Sequence, residues 1–285
     1  VLGLNALDAA VTGENNVAIG NVAMTDATSA GDSTAVGAGA LNAVTTGNQN
    51  TAIGKSALLL NTTGASNTAL GKDALRANTT SSNNTAVGHD ALTANTTGTG
   101  NVAVGAETFR DNTTGSFSTA LGSLALFEAT TGSGNTALGR RALQENTTAS
   151  NNTGAGIEAL RYNTTGTQNT SVGAIALKQN TTANSNTAVG YAALEENTTG
   201  HSNVAIGAEA SDTSTTAQDN VIVGYRAGKA LTTGGNNVAL GSQAFDANTT
   251  GANNVAIGKH CMGANTTASE NTSVGTEALE ANTTG

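Results

Sequence analysis

The chain has 285 residues, with 36 Gly, no Pro, no Trp and only 2% aromatics, so large side chains cannot build a thick core. Charged residues are 11% of the total, against roughly 25% in an ordinary globular protein, and the formal net charge is −9. Scarce Lys and Arg exclude a nucleic-acid partner, one cysteine excludes an internal disulfide framework, and no apolar run is long enough to span a membrane. Regular Val, Ile, Leu and Ala at low charge argue against disorder.

Reading along the chain, a partial repeat at 1–15 precedes the pentapeptide NVAIG at 16. Variants follow at 33, 50, 67, 84, 101, 118 and 135, and then at 152, 169, 186, 203, 220, 237, 254 and 271. The step is always seventeen, with no insertion or deletion, which makes sixteen repeats and a single repeat domain over 1–285. The repeat reads N-[TV]-A-[VIL]-G-x-x-A-L-x-x-N-T-T-[GA]-x-x. The chain opens Val1-Leu2-Gly3 and stops at Gly285 inside the pattern, so it reads as a piece of something longer.

All 31 Asp, Glu, Lys and Arg residues fall at positions 6, 7, 10, 11, 16 or 17 of the repeat. Charged side chains are rarely buried unpaired, so those positions face water and the others face protein or a tight turn. A seventeen-residue repeat is too short for a helix pair, and Gly at position 5 with Thr-Thr at 13 and 14 disfavours helix. Positions 1 to 5 alternate as a strand does, and a second short strand is predicted at 12 to 14. The fold class is therefore all-β: a parallel β-solenoid of about sixteen coils, stacked at roughly 4.8 Å per coil. On this reading the aliphatics at 4 and 9, with the Ala at position 8, fill the interior. The Ala at position 3 points away, toward another chain.

Position 5 is Gly in every repeat: Gly20, Gly37, Gly54, Gly71, Gly88, Gly105, Gly122, Gly139, Gly156, Gly173, Gly190, Gly207, Gly224, Gly241, Gly258 and Gly275. These are assigned as corner glycines, with a positive φ or a close backbone approach. Position 12 supplies an Asn ladder: Asn61, Asn78, Asn95, Asn112, Asn146, Asn163, Asn180, Asn197, Asn248, Asn265 and Asn282. Stacked amides bond to one another and satisfy buried polar groups. The same residues are Asn-Thr-Thr glycosylation sequons, but Val44, Ala129 and Leu231 in that column favour a partly buried ladder. Repeats 203–236 are the most aberrant, with Ser211, Ser214, Gly228 and Leu231, and a local break in the ladders is expected there.

No catalytic, cofactor or metal site emerges. His89-Asp90 occupies the charged bend, where other repeats carry Lys72-Asp73 or Arg140-Arg141. His89 and His260 lie ten coils apart, on the order of 48 Å, and His201 sits at a different position. Gly98-Thr99-Gly100 lacks the Lys and the following helix of a phosphate loop. Cys261 replaces Ala in a small column and reads as a packed thiol.

The pentapeptides at 16, 50, 203 and 254 resemble the YadA-like head repeats of trimeric autotransporter adhesins, and the likeness covers essentially the whole chain. Similar repeats of the same length look at home in phage and viral fibres. The resemblance implies a left-handed β-roll, a side-by-side homotrimer and a non-enzymatic adhesive or spacer role at a cell surface or virion. Its partners would be copies of itself and an unknown surface receptor. The head repeat of that family is shorter, so this coil carries a longer turn. Two alternatives stand beside it: an extracellular filament polymerising through open solenoid ends, and an ice- or glycan-binding solenoid.

Overall fold

The computed structural model describes residues 2–9 and 11–283. It is an all-β parallel solenoid built on the seventeen-residue repeat, with no helix among the described residues. Two compact units divide the chain, Val1–Arg141 and Ala142–Gly285. The first carries β1 (Val17–Ile19), β2 (Thr34–Val36), β3 (Thr51–Ile53), β4 (Thr68–Leu70), β5 (Thr85–Val87), β6 (Val102–Val104), β7 (Thr119–Leu121) and β8 (Thr136–Leu138). The second carries β9 (Thr153–Ala155), β10 (Thr170–Val172), β11 (Thr187–Val189), β12 (Val204–Ile206), β13 (Val221–Val223), β14 (Val238–Leu240), β15 (Val255–Ile257) and β16 (Thr272–Val274). Within each unit, sequential strands pair in parallel and equivalent positions face each other, as in Thr85↔Val102, Ala86↔Ala103 and Val87↔Val104. The unbroken period is what holds this register: one inserted residue would exchange the two faces of every later strand.

Each coil has one strand, at positions 2 to 4. The second strand expected at 12 to 14 is absent among the described residues, and the hydrogen bonds show why. In the coil that begins at Asn84, the amides of Thr96 and Thr97 both donate to the carbonyl of Thr113, at 3.0 and 3.2 Å, and the Thr96 hydroxyl joins them at 2.9 Å. Three donors converging on one oxygen make a bend; a strand would spread them over successive acceptors.

The strand faces are the reverse of the sequence assignment. Ala18, Ala35, Ala52, Ala69 and Ala86, all at position 3, are completely buried inside the single chain. The aliphatics at position 4 point outward, with Ile53 at 38% and Leu70 at 44% exposure. Alternation gives the right period and the wrong phase, because size suggests that Val and Ile belong inside. The coil is too thin for them. Its interior holds Ala at 3 and 8, the side chain at 9, and two Asn columns at 1 and 12, as shown by fully buried Ala86, Ala91, Leu92, Asn84 and Asn95.

The tight coil needs residues at positive φ. Position 5 has φ between 128° and 144° in every coil, and a Cβ on Gly88 would collide with the carbonyl of Gly105. Position 9 is also left-handed, at φ 50° for the buried Leu92. Only Leu, Met, Phe, Ser and Gly occur there in the sixteen repeats. β-branched residues are disfavoured in that region, although Val22 and Ile175 adopt it at position 7, at φ 50° and 55°, so at position 9 the backbone adds to the selection that the core volume makes.

Between 203 and 236 strand pairing continues in register through β12, β13 and β14. The irregular residues compensate one another in volume. Gly228 leaves the core place at position 9 empty. Ile222, buried at position 3 where most coils have Ala, packs 3.3 Å from the point a Gly228 Cβ would occupy. Leu231 is likewise buried, in the Asn column at position 12.

Candidate functional site

The described residues enclose no cavity or cleft, and no group of three His, Cys, Asp or Glu side chains among them could hold a metal ion. Among the described residues no helix is long and apolar enough to cross a membrane. What the coils do present is surface repeated once per turn, and its character differs from column to column.

The first surface is the strand face. Position 2 carries Thr or Val and position 4 carries Val, Ile or Leu in nearly every coil, with no charged residue at positions 1 to 5. Side chains at i and i+2 of a strand share a face, so the two columns run parallel and the corner glycines beside them add no side chain. Twelve of the nineteen exposed large hydrophobics of the described residues lie in these columns, Val17, Leu121 and Ile206 among them. An aliphatic column continued from coil to coil at position 4 is a mark of an interaction surface, because scattered exposed aliphatics are ordinary and aligned ones are not.

The second surface is the stretch from position 12 to position 16. The Asn at 12 is buried, the first Thr mostly half-buried and the second exposed; position 15 is then buried and 16 returns to the surface. The position-12 amides form the polar spine beneath it. Asn95 Nδ2 donates to Asn78 Oδ1 at 2.9 Å and to the Gly98 carbonyl at 3.0 Å, and Asn112 Nδ2 donates to Asn95 Oδ1 at 2.7 Å. Asn78 donates in the same way to Asn61, Asn163 to Asn146, Asn180 to Asn163 and Asn197 to Asn180. At Asn248 the direction reverses, with its Nδ2 toward Asn265 Oδ1. Asn282 is half-exposed.

Another Asn ladder runs at position 1 and does different work. Asn84 Oδ1 accepts from the backbone amide of Asn101 at 2.9 Å, while Asn84 Nδ2 donates to the Gly98 carbonyl. One carbonyl at position 15 therefore receives both Asn columns, which ties the start of the coil to its end. Where Ser33 replaces Asn, its hydroxyl accepts from the Asn50 amide at 3.1 Å. The sequence reading assigns ladder chemistry only to position 12, although Asn or Ser at position 1 of all sixteen repeats carries the same signal.

The third surface is the set of charged bends. His89 lies half-exposed beside Asp90, 3.4 Å away, with the Lys72 ammonium on its other side. His89, His201 and His260 belong to three different coils, and no metal-ligand group includes them. Cys261 is buried, with its thiol directed at the Ser273 carbonyl. The densest cluster is Glu209, Asp212, Arg226 and Lys229. Hydrogen bonds from Lys229 and then Arg226 hold the Glu209 carboxyl below its usual range. Asp212, 3.7 Å from Lys229, is pushed upward because burial outweighs that attraction. The two cations of the cluster are more than a third exposed, so its ion pairs are screened by solvent and are worth little to stability individually.

No protein-family model and no curated protein matches the chain. The functional reading therefore rests on the surfaces themselves, of which only the strand face is both apolar and exposed.

Proposed function

We propose that this chain is a non-enzymatic structural and adhesive module of an extracellular fibre, in which copies pack side by side through their strand faces. The observation that carries the reading is the strip at positions 2 and 4: an aliphatic column at position 4 beside Thr or Val at position 2, uncharged, continued from coil to coil, and open to water in the single chain. A strip of this kind is stabilised when a partner covers it, at roughly 25 cal/mol per Å² of apolar area removed from water. A partner built from the same coil presents rows at the same rise, so a copy fits along the whole length of each unit. A left-handed roll assembled as a homotrimer, as in the adhesin head repeats that the pentapeptides resemble, is the form of this assembly we favour. Attachment to a surface receptor would then use the bends at 6, 7, 10, 11, 16 and 17, where the repeats differ from one another.

Native mass spectrometry of the purified chain tests the assembly. Three chains per particle are expected, and Leu70→Lys with Leu121→Lys, which place charge on the strip, should release monomers that keep their β circular dichroism. A wild-type chain that is monomeric at micromolar concentration would overturn the proposal.

A further inference from the structure

One column is exposed and yet does not vary. Positions 6, 7, 10, 11, 16 and 17 are open to water and accept many residue types, as exposed positions should. Position 14 is also exposed in every described coil, but it is Thr in all repeats except the first, which has Ser29. Three ordinary reasons for a constant Thr can be checked. It is not needed for hydrogen bonding within the chain: no protein group engages the hydroxyls of Thr80, Thr97 and Thr114, or of Thr165, Thr182 and Thr199. The neighbouring hydroxyls at position 13, those of Thr79, Thr96 and Thr164, each bond to the next coil. It is not explained by β-propensity, because Val would serve as well; at position 2, six Val and ten Thr interchange, while position 14 has no Val. Nor is it retained as the third residue of a glycosylation sequon, since Thr46, Thr131, Thr216 and Thr233 persist where position 12 is Val44, Ala129, Ser214 and Leu231.

Position 14 has a companion. With position 15 buried, positions 14 and 16 share the outer face. In the first unit Thr80 and Ser82, Thr97 and Thr99, Thr114 and Ser116, and Thr131 and Ser133 are successive rungs. In the second, Thr148 and Ser150 are followed by Thr165 and Thr167. The position-16 oxygens are fixed by the backbone: Ser116 Oγ accepts the Thr99 amide at 3.0 Å, and Ser133 Oγ accepts the Ser116 amide at 3.0 Å. The position-14 threonines are branched at Cβ, which limits their rotamers. The result, in the coils that begin at 67, 84, 101, 118, 135 and 152, is a two-column array of small hydroxyl side chains, with neighbours in each column about 4.8 Å apart along the stack. No Asp, Glu, Lys or Arg occurs at positions 12 to 16 of the sixteen repeats.

We propose that this threonine face binds ice. A ligand that reads such a surface must be uncharged, repeat at the coil spacing, and present hydrogen-bonding groups and shallow hollows together. The water layers of an ice prism plane have that chemistry, with an oxygen repeat close to the coil spacing. Rows of branched side chains with few rotamers need little ordering on contact, and many weak contacts then act at once. The face is separate from the strand strip, so the inference goes beyond the fibre reading and stands or falls apart from it.

The test is inhibition of ice recrystallisation, with thermal hysteresis as a second readout, on the full chain. Wild type should suppress crystal coarsening. Thr97→Tyr with Thr114→Tyr, combined with Thr165→Tyr and Thr182→Tyr, should lose most of that activity. Lys72→Tyr with His89→Tyr, equally bulky changes on a charged bend, should keep it. Circular dichroism melts of all three proteins establish that they are folded. A folded wild type without activity, or activity lost equally in the bend variant, would overturn the proposal. So would activity that survives on the fourfold Thr→Tyr variant and disappears with Thr85→Tyr on the strand face.

Discussion

The residue that best exposes the logic of the coil is Leu92. It is wholly buried, contributes the largest side chain of its coil's interior, and does so from a left-handed backbone at φ 50°. In most cores an exchange of Leu for Ile conserves volume and costs less than about 1.5 kcal/mol. Here Leu92→Ile puts a branched Cβ into a conformation that resists it, which adds strain of order 1–3 kcal/mol. Leu92→Met keeps an unbranched Cβ and avoids that addition. Urea unfolding should therefore rank wild type and Met close together, with Ile about 2 kcal/mol below them. Equal stability of the Ile and Met variants would show that packing alone selects the column. The same reasoning explains what composition hides. Leu rather than Ile at position 9 looks like a choice of size alone, and the sequence carries no direct sign of the φ that also weighs against Ile.

At the scale of one coil against the next, the Asn ladder at position 12 is directional, and its interruptions are legible as unpaired atoms. Through Asn112 and through Asn197 each Asn gives Nδ2 to the Oδ1 of the coil before it, so an Asn followed by another residue type has no donor for its own oxygen. Asn112 precedes Ala129 and Asn197 precedes Ser214, and in both the buried Oδ1 lacks a partner. A buried polar atom left unpaired costs about 1–3 kcal/mol. Ala129→Asn should restore the donor to Asn112 and raise stability by about 1 kcal/mol. Asn95→Leu, in the unbroken stretch, removes the donor to Asn78 and the acceptor for Asn112 together, and should cost about 2–4 kcal/mol. Thermal melts of the two variants should move in opposite directions. If both fall, the column is packed by shape, and its hydrogen bonds contribute little net stability.

What is legible in the sequence at this scale follows from period and charge. Sixteen repeats in strict register specify a solenoid, and the 31 charges mark the bends without help from a structure. Phase is harder, because alternation says only that Ala86 and Val87 face opposite ways. Charge at 6 and 7 but not at 2 and 4 suggests that the aliphatics are inside. That absence instead belongs to an exposed strip that carries apolar side chains. The Thr-Thr pair at 13 and 14 misleads for a related reason: β-branched residues favour extended backbone, and nothing local announces that two amides will share the Thr113 carbonyl. Position 14 is the most informative column. Its constancy is visible, but constancy separates from burial only once exposure is known.

For the molecule as a whole, the buried ladder decides the fate of the sequons. Asn61, Asn78, Asn95, Asn112, Asn146, Asn163, Asn180, Asn197, Asn248 and Asn265 are completely buried. Their Nδ2 atoms are the ones a glycan would occupy, and in Asn95 and Asn163 that nitrogen already donates within the spine. A sugar attached there would have to lie where the Asn columns stack, so glycosylation and coil closure exclude each other. Asn282 differs, because it is half-exposed. Passage through a eukaryotic secretory pathway offers each sequon to the transferase before its coil closes, and folding and modification then compete along the chain. The soluble secreted product should carry no glycan at the ten interior sites, whereas material retained in the cell should be heavily modified and sensitive to protease. Glycosidase treatment with peptide mass mapping of both fractions reads this directly. Folded, protease-resistant protein with a glycan on Asn95 would show that the spine opens in the native state, and the closed ladder would have to be abandoned.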